Sequence, residues 1–191
     1  MTDPGAWTTA QNEIKNIDLV LITHEHADHF HVESLKKIIE NNPQVKIWSN
    51  STVGKLLQKE NIQFEVLEHG QSKEFKDILI EGFGDKHALI YEEYGQTQNT
   101  GYLVANKLFY PGDALAKPGK PVEVLALPVA GPWLKISETI EYAKQVNPKI
   151  CFPVHDGMMS ITGFLYKLLE IILTRNNIQF DSAENQKEME F

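Results

Sequence analysis

The strongest constraint on this chain is the segment His24–His29, which reads His-Glu-His-Ala-Asp-His. It places three imidazoles and two carboxylates within six residues, and the whole chain of 191 residues contains only seven histidines. It directly follows an apolar run, residues 17–22, that has the length of a buried strand. Imidazole and carboxylate groups are the ligands that zinc, manganese and iron sites use. The sequence therefore predicts a metal-binding loop at a strand end.

The spacing within this loop divides its ligands. His24 and His26 are two residues apart, so they point the same way if the backbone is extended. Asp28 and His29 follow one turn later and could serve a neighbouring metal. The alternative is a polar loop that happens to be rich in histidine, and the crowding of three of the seven histidines disfavours it.

Length and composition predict one globular domain over residues 1–191, with residues 182–191 as a loose polar tail. The formal net charge of −8 disfavours an extended nucleic-acid surface, which needs basic side chains. A phosphate ester bound at a metal site remains compatible with this negative net charge, because the metals supply positive charge locally.

Cys151 is the only cysteine, so the chain has neither an intrachain disulfide nor a cysteine-based zinc site. It lies in an apolar run and is predicted to be a buried core residue rather than a reactive thiol. No apolar run reaches the roughly 18 residues of a membrane span. Residues 1–13 lack the pattern of a secretory signal. We therefore expect a cytoplasmic protein without a membrane partner.

Hydrophobic spacing predicts strands that alternate with helices in two halves, which indicates an α/β fold with sheets inside and helices outside. Strands are predicted at residues 17–23, 45–48, 62–67, 74–81, 100–105, 107–110, 122–127 and 149–154. Helices are predicted at residues 31–40, 51–59, 137–146 and 163–174, the second of them capped by Ser51.

Three further ligand candidates, His87, Asp113 and His155, lie at strand ends or on loops far apart in sequence. Taken singly, each is more often a cap or a satisfied core residue, and an aspartate after Pro-Gly is common turn chemistry. They form one site only if separate strand ends converge.

The order of these motifs resembles the metallo-β-lactamase superfamily, and the resemblance covers nearly the whole chain. That family shows a strand ending in His-x-His-x-Asp-His, then a lone histidine, a Gly-Asp after a strand and a late histidine. Residues 99–104, 108–113, 127–132 and 152–155 also resemble phrases of its UlaG-like, ascorbate-phosphate-lactonase-like branch.

The resemblance implies a four-layer αβ/βα sandwich with a dinuclear site. By position, the first metal would be held by His24, His26 and His87. The second would be held by Asp28, His29 and His155, with Asp113 bridging both. Two divalent ions are implied, with zinc as the expected metal and manganese or iron as alternatives.

The implied activity is that of a metal-dependent hydrolase acting on a small molecule. An anionic substrate is left open, and a homo-oligomer is also left open. A bridging metal-bound hydroxide would cleave an ester, lactone or phosphodiester bond, and catalytic Asp28 would orient it and accept its proton. His26 stands where the diiron oxidoreductase branch has glutamate, which favours hydrolysis. The alternative is a non-hydrolytic redox or sensor domain, or an inactive truncated fragment.

The N-terminus departs from the family pattern. Members carry two or three strands before an Asp-Pro that Asp3-Pro4 resembles, so we expect the first N-terminal strands to be missing. An exposed sheet edge or face at residues 17–23 is then predicted. Two further alternatives stay open. Trp133 is either a packing residue or a substrate wall, and Lys117 and Lys120 either meet an anionic substrate or lie on an exposed loop.

Overall fold

The computed structural model describes residues 1–182, so the expected loose tail lies outside the described residues apart from Ser182. Ten strands and four α-helices are formed within this range. The strands are β1 Leu19–Ile22, β2 Lys46–Ser49, β3 Glu65–Val66, β4 Ser72–Phe75, β5 Ile78–Phe83, β6 Gly101–Val104, β7 Leu108–Tyr110, β8 Val124–Pro128, β9 Ile150–Val154 and β10 Gln179–Phe180. The helices are α1 Val32–Asn41, α2 Ser51–Lys59, α3 Ile136–Val146 and α4 Gly163–Thr174.

The smaller sheet is parallel and has the order β1-β2-β3. Successive side chains of a strand point to opposite faces. In β1, Val20 and Ile22 accordingly pack with apolar residues of α1 and α2, whereas Leu21 faces away from the helices. Both faces of this strand are therefore buried, which explains its unbroken apolar sequence.

The larger sheet has seven strands in the order β10-β9-β8-β7-β6-β5-β4. Strands β4 to β7 pair antiparallel and strands β7 to β10 pair parallel. Helices α3 and α4 cover this sheet through residues such as Tyr142, Leu169 and Leu173, which pack on Leu125 and Leu127 of β8.

A separate apolar cluster joins the two sheets, with Leu21 and Trp48 from the smaller sheet against Ile80 and Tyr102 from the larger one. The layers therefore run helices, sheet, sheet, helices. This confirms the α/β four-layer αβ/βα sandwich that the sequence predicts.

Two local predictions were wrong. Residues 74–81 do not form one strand. Instead β4 and β5 make a hairpin, and its turn residues Lys76 and Asp77 have φ angles of 49° and 64°. Such left-handed turns match the twist of a hairpin, but they are usually signalled by Asn-Gly, which is absent here. Helix α2 is capped by the Asn50 side chain, which accepts from Val53 N, rather than by Ser51.

The expected exposed edge of β1 was also wrong, because the chain's own first residues pair with it. Thr2 forms a parallel bridge with Leu21, Asp3 N donates to Leu21 O at 3.0 Å, and Leu21 N donates to Met1 O at 3.0 Å. Val20 and Ile22 are fully buried. These first residues are therefore part of the sheet that carries the His24–His29 segment.

No helix within residues 1–182 has the length and apolar character required to cross a lipid bilayer.

Candidate metal centre

Strand ends bring the candidate ligands together. His24 follows β1, Asp113 follows β7 and His155 directly follows β9, while His87 lies on the loop after β5. Strands β5, β7 and β9 run in the same direction within the larger sheet. Their carboxyl ends therefore lie along one edge of this sheet, and this edge meets the loop after β1.

All seven residues that the sequence singled out converge, and they do so as two groups that share Asp113. Within each group, one ligand atom per residue lies within 4.8 Å of the others. The first group is His24, His26, His87 and Asp113, and the second is Asp28, His29, Asp113 and His155. These are the residues that the family resemblance assigned to each metal, and a third set of close donors, Asp3, His24 and His29, spans both groups.

Asp113 lies at the meeting point of the two groups. Its Oδ2 lies 3.0 Å from His155 Nε2 and 3.3 Å from His87 Nε2, and its Oδ1 lies 3.1 Å from His29 Nε2. Asp28 extends the second group, because its Oδ2 lies 3.3 Å from His155 Nε2. One carboxylate thus faces imidazoles of both groups, as a bridging ligand must.

Several buried side-chain atoms of the two groups lack a hydrogen-bond partner, which also fits a metal site. The Nε2 atoms of His29, His87 and His155, together with Asp113 Oδ1, are buried and have no hydrogen-bond partner of acceptable geometry. Leaving such a group unpaired costs about 1–3 kcal/mol, so several at one point need an explanation. Divalent cations coordinated by these atoms would supply the missing partners.

The charges of the second group are strongly coupled. Burial raises the pKa of Asp113, but the close imidazoles of His155, His29 and His87 outweigh burial and hold this pKa well below its usual range. Burial lowers the pKa of His29, yet Asp3 and Asp113 raise it to about 10. Burial likewise lowers the pKa of His155, while Asp113 and Asp28 raise it to about 9.

The first group behaves in the opposite way. Burial and the neighbouring His29 hold the pKa of His24 well below its ordinary value. Burial, followed by the neighbouring His87, also lowers the pKa of His26. These imidazoles are therefore neutral near pH 7, which is the form that binds a metal.

Asp3 belongs to the centre, although the sequence pointed to it only as part of an N-terminal Asp-Pro. Its Oδ2 lies 2.7 Å from His29 Nδ1 and accepts from Thr23 Oγ1 at 2.7 Å and from Tyr110 OH at 2.9 Å. Its Oδ1 accepts from Thr23 N at 2.7 Å. A carboxylate behind an imidazole fixes the ring and raises its basicity as a ligand.

Two backbone positions hold the ligands in place. Gly112 has a φ of 64°, and a Cβ there would lie 2.4 Å from Asn99 Oδ1, so this turn requires glycine. The Asn99 side chain accepts from Asp113 N and donates to Pro111 O, which clamps the turn. His155 itself has a φ of 63°, a conformation that is uncommon outside glycine and is found preferentially at functional sites.

Trp133 is a packing residue with a polar contact to the centre. It is 9% exposed, and its Nε1 donates to Asp113 Oδ2 at 3.0 Å. Its ring lies edge-on to the rings of His87 and His155, with centroids 5.8 and 6.1 Å away. This contact spans 20 residues, and the sequence offered no signal for it beyond the rigid Gly-Pro that precedes Trp133.

The remaining two histidines and the lysines Lys117 and Lys120 lie away from the centre. His31 caps α1 by accepting from Ser34 N, and the exposed His69 accepts from Gly84 N. Lys117 donates to Gln145, and Lys120 forms an ion pair of 2.8 Å with Glu81. The exposed-loop interpretation of the two lysines is therefore the one that their contacts support.

Residues 1–155 match the family model described as the β-lactamase superfamily domain. The chain is similar to Protein Rv0786c of Mycobacterium tuberculosis, with 32% identity over 163 residues that cover 83% of this chain and 76% of that protein. It is also similar to the UPF0173 metal-dependent hydrolase Ta0764 of Thermoplasma acidophilum, with 23% identity over 166 residues, 81% of this chain and 72% of that protein.

Among solved structures, the fold is similar to that of a Parabacteroides distasonis protein named for an inferred metal-dependent hydrolase activity. The TM-score is 0.77 at 22% identity, and the match covers 97% of this chain and 84% of that one. At this identity the likeness concerns the fold alone.

Proposed function

Because this chain belongs to the β-lactamase superfamily, we propose that it is a metal-dependent hydrolase whose centre holds two divalent cations. The observation that carries this proposal is the pair of ligand groups joined at Asp113, with buried imidazole nitrogens that lack partners. His24, His26 and His87 would hold one cation and Asp28, His29 and His155 the other. Zinc is the proposed metal, with manganese and iron as alternatives, because histidine and aspartate donors suit all three.

The proposed reaction is hydrolysis of an ester, lactone or phosphodiester bond in a small molecule. When bound, two divalent cations lower the pKa of a water and polarise the substrate oxygen. In an ester, the water oxygen bonds to the carbonyl carbon, the bond to the leaving oxygen breaks, and that oxygen takes up a proton. The products are an acid and an alcohol, and a lactone gives one hydroxy acid.

Asp28 is the proposed catalytic residue. Its side chain is 18% exposed and lines the larger of two cavities at the centre, so it can reach a substrate water. Burial raises its pKa, but the neighbouring imidazole of His155 and the charge of His29 outweigh burial and lower it. Asp28 is therefore ionised near neutral pH and can orient the attacking water and accept its proton.

Within the superfamily, we propose placement in the UlaG-like branch, on the phrases at residues 99–104 and 108–113. We also propose that residues 1–191 form one domain. Neither proposal affects the assignment of the seven ligands.

Elemental analysis combined with a panel of esters, lactones and phosphodiesters tests the proposed function. We expect about two metal equivalents per chain, and hydrolysis that a chelator abolishes and added zinc restores. The exposed His69 provides a matched control, since His69→Ala should keep both metals and all activity. Bound iron with redox chemistry and no hydrolysis of any panel member would instead support the non-hydrolytic alternative.

A further inference from the structure

Two cavities flank the centre on opposite sides. The smaller cavity, about 450 Å³, includes His26 and His87 in its wall, and the larger cavity, about 950 Å³, includes Asp28, His29 and His155. Small-molecule sites commonly have volumes of roughly 300–1,000 Å³. A substrate positioned at the centre would therefore extend into one or both cavities, and their walls determine what it can be.

The charged side chains of these walls are acidic. Among the described residues that line them, Asp3, Asp28 and Asp156 face the larger cavity and Glu25 faces the smaller one, with neither lysine nor arginine in either wall. Two divalent cations contribute four formal positive charges. These four carboxylates and the shared Asp113 contribute five negative charges. The loaded centre thus has no surplus positive charge to attract a phosphate group.

Lys117 and Lys120 do not change this balance. Lys120 is paired with Glu81 at 2.8 Å and Lys117 donates to Gln145, both outside the cavity walls. The chain as a whole carries a formal charge of −8. A polyanionic ligand would approach against this field, whereas an uncharged ligand is unaffected by it.

Apolar side chains also occur among the polar side chains of these walls. Trp7, Met158, Met159 and Tyr166 line the larger cavity, and Ile90 and Tyr94 line the smaller one. Trp7 is 60% exposed and Met158 46% exposed, although both are large apolar residues. Exposed apolar side chains in the wall of a cavity offer an apolar ligand a surface on which to bind. Tyr166 OH donates a hydrogen bond to Asp156, so one of the acidic groups of the larger wall already has a partner.

From these walls we infer that the substrate is an uncharged carboxylic ester or lactone whose apolar portion lies in the larger cavity against Trp7 and Met158. The inference rests on the proposed hydrolase function and narrows it. Asp28 stands at the junction between this cavity and the ligand atoms of the second group. The bond to be cleaved would therefore lie at the inner end of the cavity and the apolar portion nearer its mouth.

A matched series of substrates tests the inference on the zinc-loaded full chain. We compare p-nitrophenyl acetate, butyrate and hexanoate with p-nitrophenyl phosphate and bis(p-nitrophenyl) phosphate. Burial is worth about 0.8 kcal/mol per methylene, or roughly fourfold in kcat/KM for each fully buried methylene. We expect kcat/KM to rise at least tenfold from acetate to hexanoate, and the phosphate esters to be poorer than any of these carboxylic esters. A phosphate ester turned over faster than hexanoate would overturn the inference and leave the hydrolase function standing.

Variants locate the apolar portion. Met158→Ala should raise KM for hexanoate several-fold more than KM for acetate, and Trp7→Ala should do the same. Ile78→Ala removes an equally exposed apolar side chain on the β4–β5 hairpin and should change neither substrate. Equal effects of Met158→Ala and Ile78→Ala would place the apolar portion elsewhere and overturn the inference.

A binding measurement separates this inference from the hydrolase function. N-hexylacetamide is an uncharged ester analogue, and hexyl phosphate carries the same chain on an anion. Titration calorimetry with zinc-loaded protein should show tighter binding of the amide, and Met158→Ala should weaken it. If no panel member is hydrolysed, the proposed hydrolase function fails. The comparison of the amide with the phosphate still decides whether the site prefers an uncharged ligand. Tighter binding of hexyl phosphate would overturn it.

Discussion

The two ligand groups of the centre are similar in composition but differ in what surrounds their imidazoles. The first group has three histidines whose only carboxylate partner among the ligands is Asp113. The second has two histidines, its own carboxylate Asp28, and Asp3 behind His29 at 2.7 Å. Negative charge behind and beside an imidazole strengthens it as a metal ligand. We therefore expect the second group, once its imidazoles have lost their protons, to bind its cation more tightly than the first.

The largest expected effect comes from removing the ligand that the groups share. Asp113→Ala should reduce the metal content from about two equivalents to below one and reduce hydrolysis to background, because both cations lose a charged ligand. Elemental analysis after dialysis measures this. Asp181→Ala removes an exposed carboxylate outside the centre and should keep both metals. An Asp113→Ala protein that retains two equivalents would show that the groups are independent.

Replacing one histidine in either group should remove the cation of that group and leave the other cation bound. His87→Ala should leave the cation of the second group, and His155→Ala should leave that of the first. The cation retained in His87→Ala should be the more resistant to a competing chelator, because its ligands include two carboxylates. Chelator titration followed by elemental analysis compares the two variants, with His69→Ala as the control. Equal resistance in both would contradict the expected difference between the groups.

These candidate ligands could be predicted because the first motif is specific and because the later three residues gain weight from their order along the chain. The segment His24–His29 crowds unusual side chains behind an apolar run, and Asp113 and His155 each end such a run. Strand direction then brings those ends to one edge. The layers of the fold were predictable for the same reason, since strands buried on both faces have unbroken apolar sequences.

The contacts behind the ligands could not be predicted, because they join residues far apart in sequence. Tyr110 OH donates to Asp3 across 107 residues, and Trp133 donates to Asp113 across 20. Neither residue has a neighbour in the sequence that indicates a polar role. The β4–β5 hairpin was missed for a different reason, since Lys76 and Asp77 adopt left-handed angles without the residues that usually signal them.

Asp28 tests whether the second group differs from the first in catalysis as well as in affinity. Asp28→Asn keeps the size and one oxygen but loses the charge and the basic oxygen. A general base contributes roughly 10²–10⁴-fold in rate, so we expect kcat to fall by that amount. The thermal midpoint should stay nearly unchanged when zinc is in excess.

The matched control for Asp28→Asn is Asp85→Asn, on an exposed loop two residues before His87. It should keep kcat and both metals. Near-normal turnover of metal-replete Asp28→Asn would remove Asp28 from the mechanism and leave the two groups equivalent in catalysis.

A smaller effect is expected from Asp3, which acts on the second group through His29. Removing a carboxylate behind a ligating histidine typically costs about 10–100-fold in metal affinity or activity. Asp3→Asn should therefore weaken the second cation by that amount, and it should weaken the first by less, because Asp3 reaches His24 through Thr23. Tyr110→Phe removes one hydrogen bond to Asp3 but keeps its charge, so its effect should be the smaller of the two. Calorimetric zinc titration resolves the two binding steps, and equal weakening of both would show that Asp3 supports the whole centre.

The smallest effect should come from Trp133, and it should not distinguish the groups. Its indole donates to Asp113 Oδ2 at 3.0 Å, so Trp133→Phe removes one hydrogen bond to the shared carboxylate and keeps most of the packing. A hydrogen bond to a charged group is worth about 1.5 kcal/mol or more, which corresponds to roughly tenfold in affinity. Because Asp113 serves both groups, the loss should appear in both binding steps. Trp48→Phe alters a buried indole between the sheets and should lower the thermal midpoint without changing zinc affinity. A loss confined to one step would mean that Asp113 Oδ2 serves a single cation, and the two groups would then be less closely joined than their shared carboxylate implies.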